Sequence, residues 1–179
     1  MQISHGALLA IAEISLSLWQ TNDPKVQELF HQQAPLLVPI LTNLPSRSLT
    51  TFGSEHIREA ACHLISCLSA TGIAFNNHLP GIKKIIWSSL ERKEENVQEF
   101  AVAAFGAVAK AFGIERQEIE EALIKIEATN PMYYARRGFT LALGTLDYEQ
   151  HHEWLHDVLI QLCKASQVQV TVANSLQFP

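Results

Sequence analysis

Apolar positions recur every three to four residues along most of this chain, the period of a helix that buries one face. A first helix is expected over residues 4–20. Its polar face is thin, only Glu13, Ser17 and Gln20, so most of its sides should be covered. "NDP" at 22–24 reads as a turn into a second helix, with Asp23 as cap and Pro24 at the first helical position. That helix should run to about Leu44, broken or bent at Pro35 and Pro39. Residues 44–56, with Pro45 and Gly53, form the longest expected loop, and Ser54 then caps a helix to about Ser69. Further helices are expected over 80–91, 94–112 (ended by Gly113), 115–128 and 148–165. Asn130 and Pro131 should cap and start another, ending near Gly144. In the tail, Val168, Val170 and Val172 alternate with polar residues, a strand pattern with no second strand to pair. Residues 166–179 are therefore expected to be irregular and poorly ordered.

The helices repeat in pairs. "HGALLAIAEISLSL", "REAACHLISCLS", "QEFAVAAFGAVAKAF" and "RRGFTLALGTL" start at 5, 58, 98 and 136, so they lie 53, 40 and 38 residues apart. Each is rich in small residues and opens a helix pair. A period of about 40–47 residues with two helices per unit marks HEAT or armadillo repeats. The expected fold is therefore all-α: a HEAT/armadillo-like α-solenoid of about four antiparallel helix pairs over residues 1–165, a fragment of a longer solenoid.

Composition narrows the function classes. Of 179 residues, 47 % are hydrophobic and 17 % charged, enough to bury a core. The net charge of −5 lacks the basic excess expected of a nucleic-acid partner. No segment approaches the ~20 apolar residues of a membrane span, and the amino-terminal stretch lacks the basic start and cleavage site of a signal peptide. Three cysteines, Cys62, Cys67 and Cys163, have no C-x-x-C spacing and read as reduced thiols in a cytoplasmic setting.

Few motifs suggest chemistry. "HEWLH" (152–156) matches H-E-x-x-H, in which His152 and His156 would bind zinc on one helix face and Glu153 act as base. Leu159 and Leu162 stand where the extended zinc-peptidase motif needs glycine and histidine, so a solvated helix edge is the better reading. "GFTLALG" (138–144) fits neither a P-loop nor a Rossmann turn, and Gly138 reads as a close helix contact. Arg136 and Arg137 point away from that helix's apolar stripe, toward solvent, neighbouring acids or a partner protein. In "KKIIW", Lys83, Lys84 and Trp87 lie on a second helix, with Trp87 either an interface anchor or part of the core. These five residues are the candidate protein-binding positions. No Ser/His/Asp or Cys/His set is readable, so no catalytic residue, metal or cofactor is expected.

Three segments, "HGALLAIAEISLSL" (5–18), "FGSEHIREAACHLISCLS" (52–69) and "NPMYYARRGFTLALGTL" (130–146), resemble the carboxy-terminal part of the tubulin-folding cofactor D family of long HEAT/armadillo-type chaperones. The Arg-x-Gly-Phe-x-Leu-Ala-Leu-Gly order at 136–144 is the most specific part, and the resemblance covers about residues 5–165. It implies a non-enzymatic, cytoplasmic and cytoskeleton-associated module. Such a module binds β-tubulin and helps assemble it with α-tubulin, together with tubulin-folding cofactors C and E. The family's assembly stimulates GTP hydrolysis by tubulin, and its members bind an ADP-ribosylation-factor-like small GTPase. A generic HEAT adaptor with another client is the competing expectation. Apolar ends also predict poor solubility in isolation.

Overall fold

The computed structural model describes residues 2–44, 49, 53–127 and 129–175. Among these the backbone is helical, with no strand. The elements are α1 (Gln2–Gln20), α2 (Pro24–Gln33), a 3-10 turn (Ala34–Leu37), α3 (Val38–Thr42), α4 (Ser54–Ala70), a second 3-10 turn (Asn76–His78), α5 (Leu79–Leu90), α6 (Glu95–Phe112), α7 (Arg116–Ile126), α8 (Tyr133–Leu143) and α9 (His152–Ser175).

Local chemistry sets most boundaries. Asp23 caps α2 by accepting the Lys25 N–H at 2.9 Å, with Pro24 in the first turn. Pro35 cannot donate to a continuing helix, so the chain tightens into 3-10 geometry, and Pro39 then opens α3. Gly113 ends α6 with φ +79°, a left-handed conformation that glycine adopts without a Cβ clash. A reciprocal capping box starts α7: the Glu115 N–H donates to the Glu118 carboxylate at 2.9 Å, while Glu115's own side chain accepts in return.

Three boundaries differ from expectation. Ser54 is the first residue of α4 rather than its cap, and left-handed Gly53 precedes it with no side-chain cap bond. Asn130 does not cap α8. Its side chain spans the turn, accepting from Met132 N–H (3.0 Å) and donating to the Lys125 carbonyl (2.8 Å), so α8 starts only at Tyr133. Residues 147–150 form a turn held by Asp147, which accepts from the Glu149 N–H and the Gln150 amide, and this delays α9 to His152. The alternating tail is not a strand either: α9 continues through it to Ser175. A lone strand leaves its backbone groups without ladder partners, whereas a helix satisfies them within itself. Residues 176–179, and most of the expected 44–56 loop, lie outside the described residues.

The four helices with small-residue-rich sequences pack in series: α4 lies against α1 and α6, and α6 against α8. Ala60 and Ala61 of α4, Ala101 and Ala104 of α6, and Ala142 of α8 are fully buried, which keeps the side-chain layer between these helices thin. α5 packs on α6. α7, expected to partner α6, packs chiefly on α8 and α9. One apolar core runs from Leu8 to Val158. Among the described residues no helix is long and apolar enough to cross a membrane.

Candidate protein-binding surface

The five candidate positions do not converge on one face. Lys83, on α5, is half-buried and donates to the Glu118 carboxylate of α7 at 2.7 Å. Glu118 is the residue that also closes the α7 capping box, so one carboxylate fixes the start of α7 and ties it to α5. Lys84 is exposed. Trp87 packs against the core, its ring 4.9 Å from that of Phe139 on α8, so it serves the core rather than a partner. Lys83 and Trp87 share a recess with Ile86, Phe105 and Ile114, but the cavity is only about 10 Å³, at the lower limit for a single water.

The two arginines are engaged within the molecule. Arg136 donates to the Asn130 carbonyl at 3.1 Å. Arg137 donates to the side-chain oxygen of Gln98 at 2.5 Å and lies 3.8 Å from the Glu95 carboxylate, both on α6. Pairing with neighbouring polar groups is thus the observed role of Arg137.

Gln98 gave no signal in the sequence. It is 1 % exposed, and its amide nitrogen reaches three carbonyls: Leu90 (3.0 Å), Arg92 (2.7 Å) and Tyr134 (2.5 Å). Its oxygen accepts from Arg137, so one side chain joins the end of α5, α6 and the start of α8. Gly138 allows this approach. A Cβ there would lie 2.1 Å from the Leu90 carbonyl oxygen and 3.1 Å from the Gln98 amide nitrogen. The glycine is therefore required by packing and not by a phosphate.

Arg58, on α4, is a second buried polar centre. Its guanidinium donates to the Leu49 carbonyl through Nε (3.1 Å) and Nη2 (2.8 Å), and to Ser88 and Ser89 of α5 at 2.9 and 3.1 Å. Burial, and then the Arg92 charge, lower its pKa, yet a guanidinium stays protonated. The described side-chain N and O atoms include no buried one without a partner.

His152, Glu153 and His156 are all exposed at the start of α9, and the two imidazoles sit beside Glu153 and Asp157. Among the described residues no group of three or more His, Cys, Asp or Glu side chains is placed to hold a metal ion. The fold does bring together a Cys/His/Glu cluster that spacing could not reveal. His63 Nε2 lies 2.7 Å from the Glu13 carboxylate, 50 residues away in sequence, and 3.9 Å from Cys67 Sγ. One nitrogen faces both groups, so no relay runs through the ring. Burial, with a contribution from Glu13, pushes the Cys67 thiol up to about 11, the opposite of an activated nucleophile.

Several large apolar side chains are exposed. Tyr133, at the head of α8, is 67 % exposed, its ring 5.5 Å from that of Tyr134. Ile14, Leu29 and Leu36 are exposed at the α1–α2 end, and Leu155, Leu159 and Ile160 on α9. Compared with protein-family models, curated proteins and solved structures, the chain matches none.

Proposed function

We propose that this chain is a HEAT/armadillo-like solenoid module of the tubulin-folding cofactor D type. It holds β-tubulin non-covalently during assembly with α-tubulin. The observation that carries the reading is the serial packing of α1, α4, α6 and α8, the four helices whose sequences repeat. The 136–144 stretch adds to it. Gly138, part of that specific order, and its neighbour Arg137 work together in joining α8 to α5 and α6. Tubulin-folding cofactors C and E and an ADP-ribosylation-factor-like small GTPase are the companion partners in this reading, and the cytoplasm and cytoskeleton its setting. The binding face includes Lys84 and Tyr133, which are exposed, whereas Lys83, Trp87 and Arg137 hold the fold together.

Retention of purified tubulin by the immobilised chain tests the reading. β-Tubulin should be retained, and the Tyr133→Ala, Lys84→Glu double variant should retain less. A correctly folded chain that captures no β-tubulin refutes the function while leaving the fold intact.

A further inference from the structure

A half-open cavity of about 300 Å³, the lower end of the range for small-molecule sites, lies between α6 and the turn that joins α8 to α9. Ala103, Gly106, Ala107 and Lys110 line it from α6, and their i, i+3, i+4, i+7 spacing sets them on one face of that helix. Leu146 and Asp147 line it from the turn. Gly106 fixes how near the two walls come: a Cβ there would lie 2.8 Å from the Thr145 hydroxyl oxygen.

The two walls carry charges of opposite sign that are not joined. Asp147 is held in place by its own turn. Its carboxylate accepts from the Glu149 N–H at 3.0 Å and the Gln150 amide at 2.9 Å, and its carbonyl from the Gln150 and His151 N–H groups at 3.2 and 3.1 Å. A carboxylate offers about four acceptor positions, so two remain for a ligand. The Lys110 ammonium has no partner among the described residues, and it forms no ion pair with Asp147 although both border the same cavity. Between them the lining is uncharged: Ala103, Ala107 and the largely buried Leu146.

We propose that this cavity binds a free α-amino acid with an apolar side chain. The ligand's carboxylate lies on the Lys110 ammonium, its ammonium on the Asp147 carboxylate, and its side chain over Ala103, Ala107 and Leu146. Charge selects this class of ligand. A simple anion is repelled by Asp147 and leaves it unanswered, and a simple cation meets the same obstacle at Lys110. A zwitterion answers both, through charge-assisted hydrogen bonds, which are stronger than neutral ones. The uncharged lining gives an apolar side chain area to bury, which favours leucine over glycine. Asp147 is fixed by its turn before any ligand arrives, so binding has chiefly Lys110 to order. The site is independent of tubulin capture, since neither Lys84 nor Tyr133 borders it.

Isothermal titration of the full chain with L-leucine tests the site. One saturable site per chain is expected, with a Kd below about 1 mM. N-acetyl-L-leucine lacks the cation, L-leucinamide the anion and glycine the side chain, so each should bind at least about tenfold more weakly. Variants then assign the contacts. Lys110→Gln should weaken L-leucine about tenfold and leave L-leucinamide unchanged. Asp147→Asn keeps an acceptor for the turn, and it should weaken L-leucine while leaving N-acetyl-L-leucine unchanged. Ala103→Leu should fill the cavity and abolish binding. Lys110 and Ala103 are both exposed, so circular dichroism should show unchanged helix in their variants. The proposal is overturned by a wild-type chain that L-leucine does not saturate up to about 20 mM. It is equally overturned if L-leucinamide or N-acetyl-L-leucine binds as tightly as L-leucine, or if the Ala103→Leu chain binds like wild type.

Discussion

Around Gln98, three helix segments meet and the buried side-chain polar atoms find partners; between α1 and α2, two helices meet and leave Ile14 and Leu29 exposed. Both regions are built from small and aliphatic residues at helical spacing, so composition does not separate them. Closure does. At the α5–α6–α8 joint, neighbours approach until a backbone carbonyl lies within 2.1 Å of where a Gly138 Cβ would sit. At the α1–α2 end the two helices form a groove that leaves Ile14 and Leu29 exposed. A closed joint constrains every atom in it, whereas an open face tolerates change and is available to a partner.

Substitutions at the closed joint should have the largest effect. Gly138→Ala sets a methyl against the Leu90 carbonyl, a backbone atom that cannot rotate aside, so α8 must lift from α5. A loss of about 3 kcal/mol is expected from urea unfolding. Gln98→Ala should lose a similar amount, about 3 kcal/mol, because buried carbonyls and the Arg137 donor are left unpaired together. Loss below about 1 kcal/mol from either would show that this joint is no tighter than the open end.

A pH effect of intermediate size comes from the buried layer next to Arg58. Burial pushes the Cys62 thiol up to about 12 from an ordinary value of 9.0, with the Ser89 hydrogen bond and the Arg58 charge opposing. Above pH 9 the unfolded chain releases this proton while the folded chain keeps it, so stability must fall as pH rises. The expected slope from this thiol is about 1.4 kcal/mol per pH unit between the two values. Cys62→Ala should remove that part of the slope in alkaline urea titrations. An unchanged slope would mean that Cys62 is less enclosed than its surroundings imply.

At the half-buried contact between α5 and α7, a smaller change is expected. Lys83→Ala removes one partner of the Glu118 pair and should cost about 1 kcal/mol. Glu118→Ala should cost roughly 1 kcal/mol more, because the α7 capping box goes with it. Equal losses from the two variants would separate the cap from the ion pair.

What the sequence made legible follows the same division between local and distant chemistry. The helices, the Asp23–Pro24 start, the proline breaks after α2 and the Gly113 stop depend on residues a few positions apart, and all appear in the fold. Gln98 was invisible because its partners come from residues 90, 92, 134 and 137, and a single polar residue at the head of an apolar run looks like ordinary surface. For Arg137, helical phase shows that the side chain leaves the apolar stripe of its own helix but leaves solvent, a neighbouring acid and a partner open; Glu95 and Gln98 of α6 are what wait there. Asn130 had the composition of a cap and was instead recruited by the Lys125 carbonyl. The valines of the tail alternate as a strand does, but strand pairing is non-local and helix hydrogen bonding is not. Of the candidate site, the sequence supplied Lys84 as a surface residue; Tyr133 emerged only from its exposure at the head of α8.

The smallest expected effect on stability is the sharpest test of the contrast, because it compares adjacent residues. Leu29 and Phe30 are both large, apolar and on α2, yet Leu29 is 59 % exposed and Phe30 is buried in the core. Leu29→Glu removes little packing and places its charge in water, so the unfolding free energy should change by no more than about 0.5 kcal/mol. Phe30→Ala opens a cavity beneath the same helix and should lose about 3 kcal/mol. If Leu29→Glu instead lost as much as Phe30→Ala, the groove wall would be part of the core rather than an open face. The α1–α2 end would then be a closed joint like the one around Gln98.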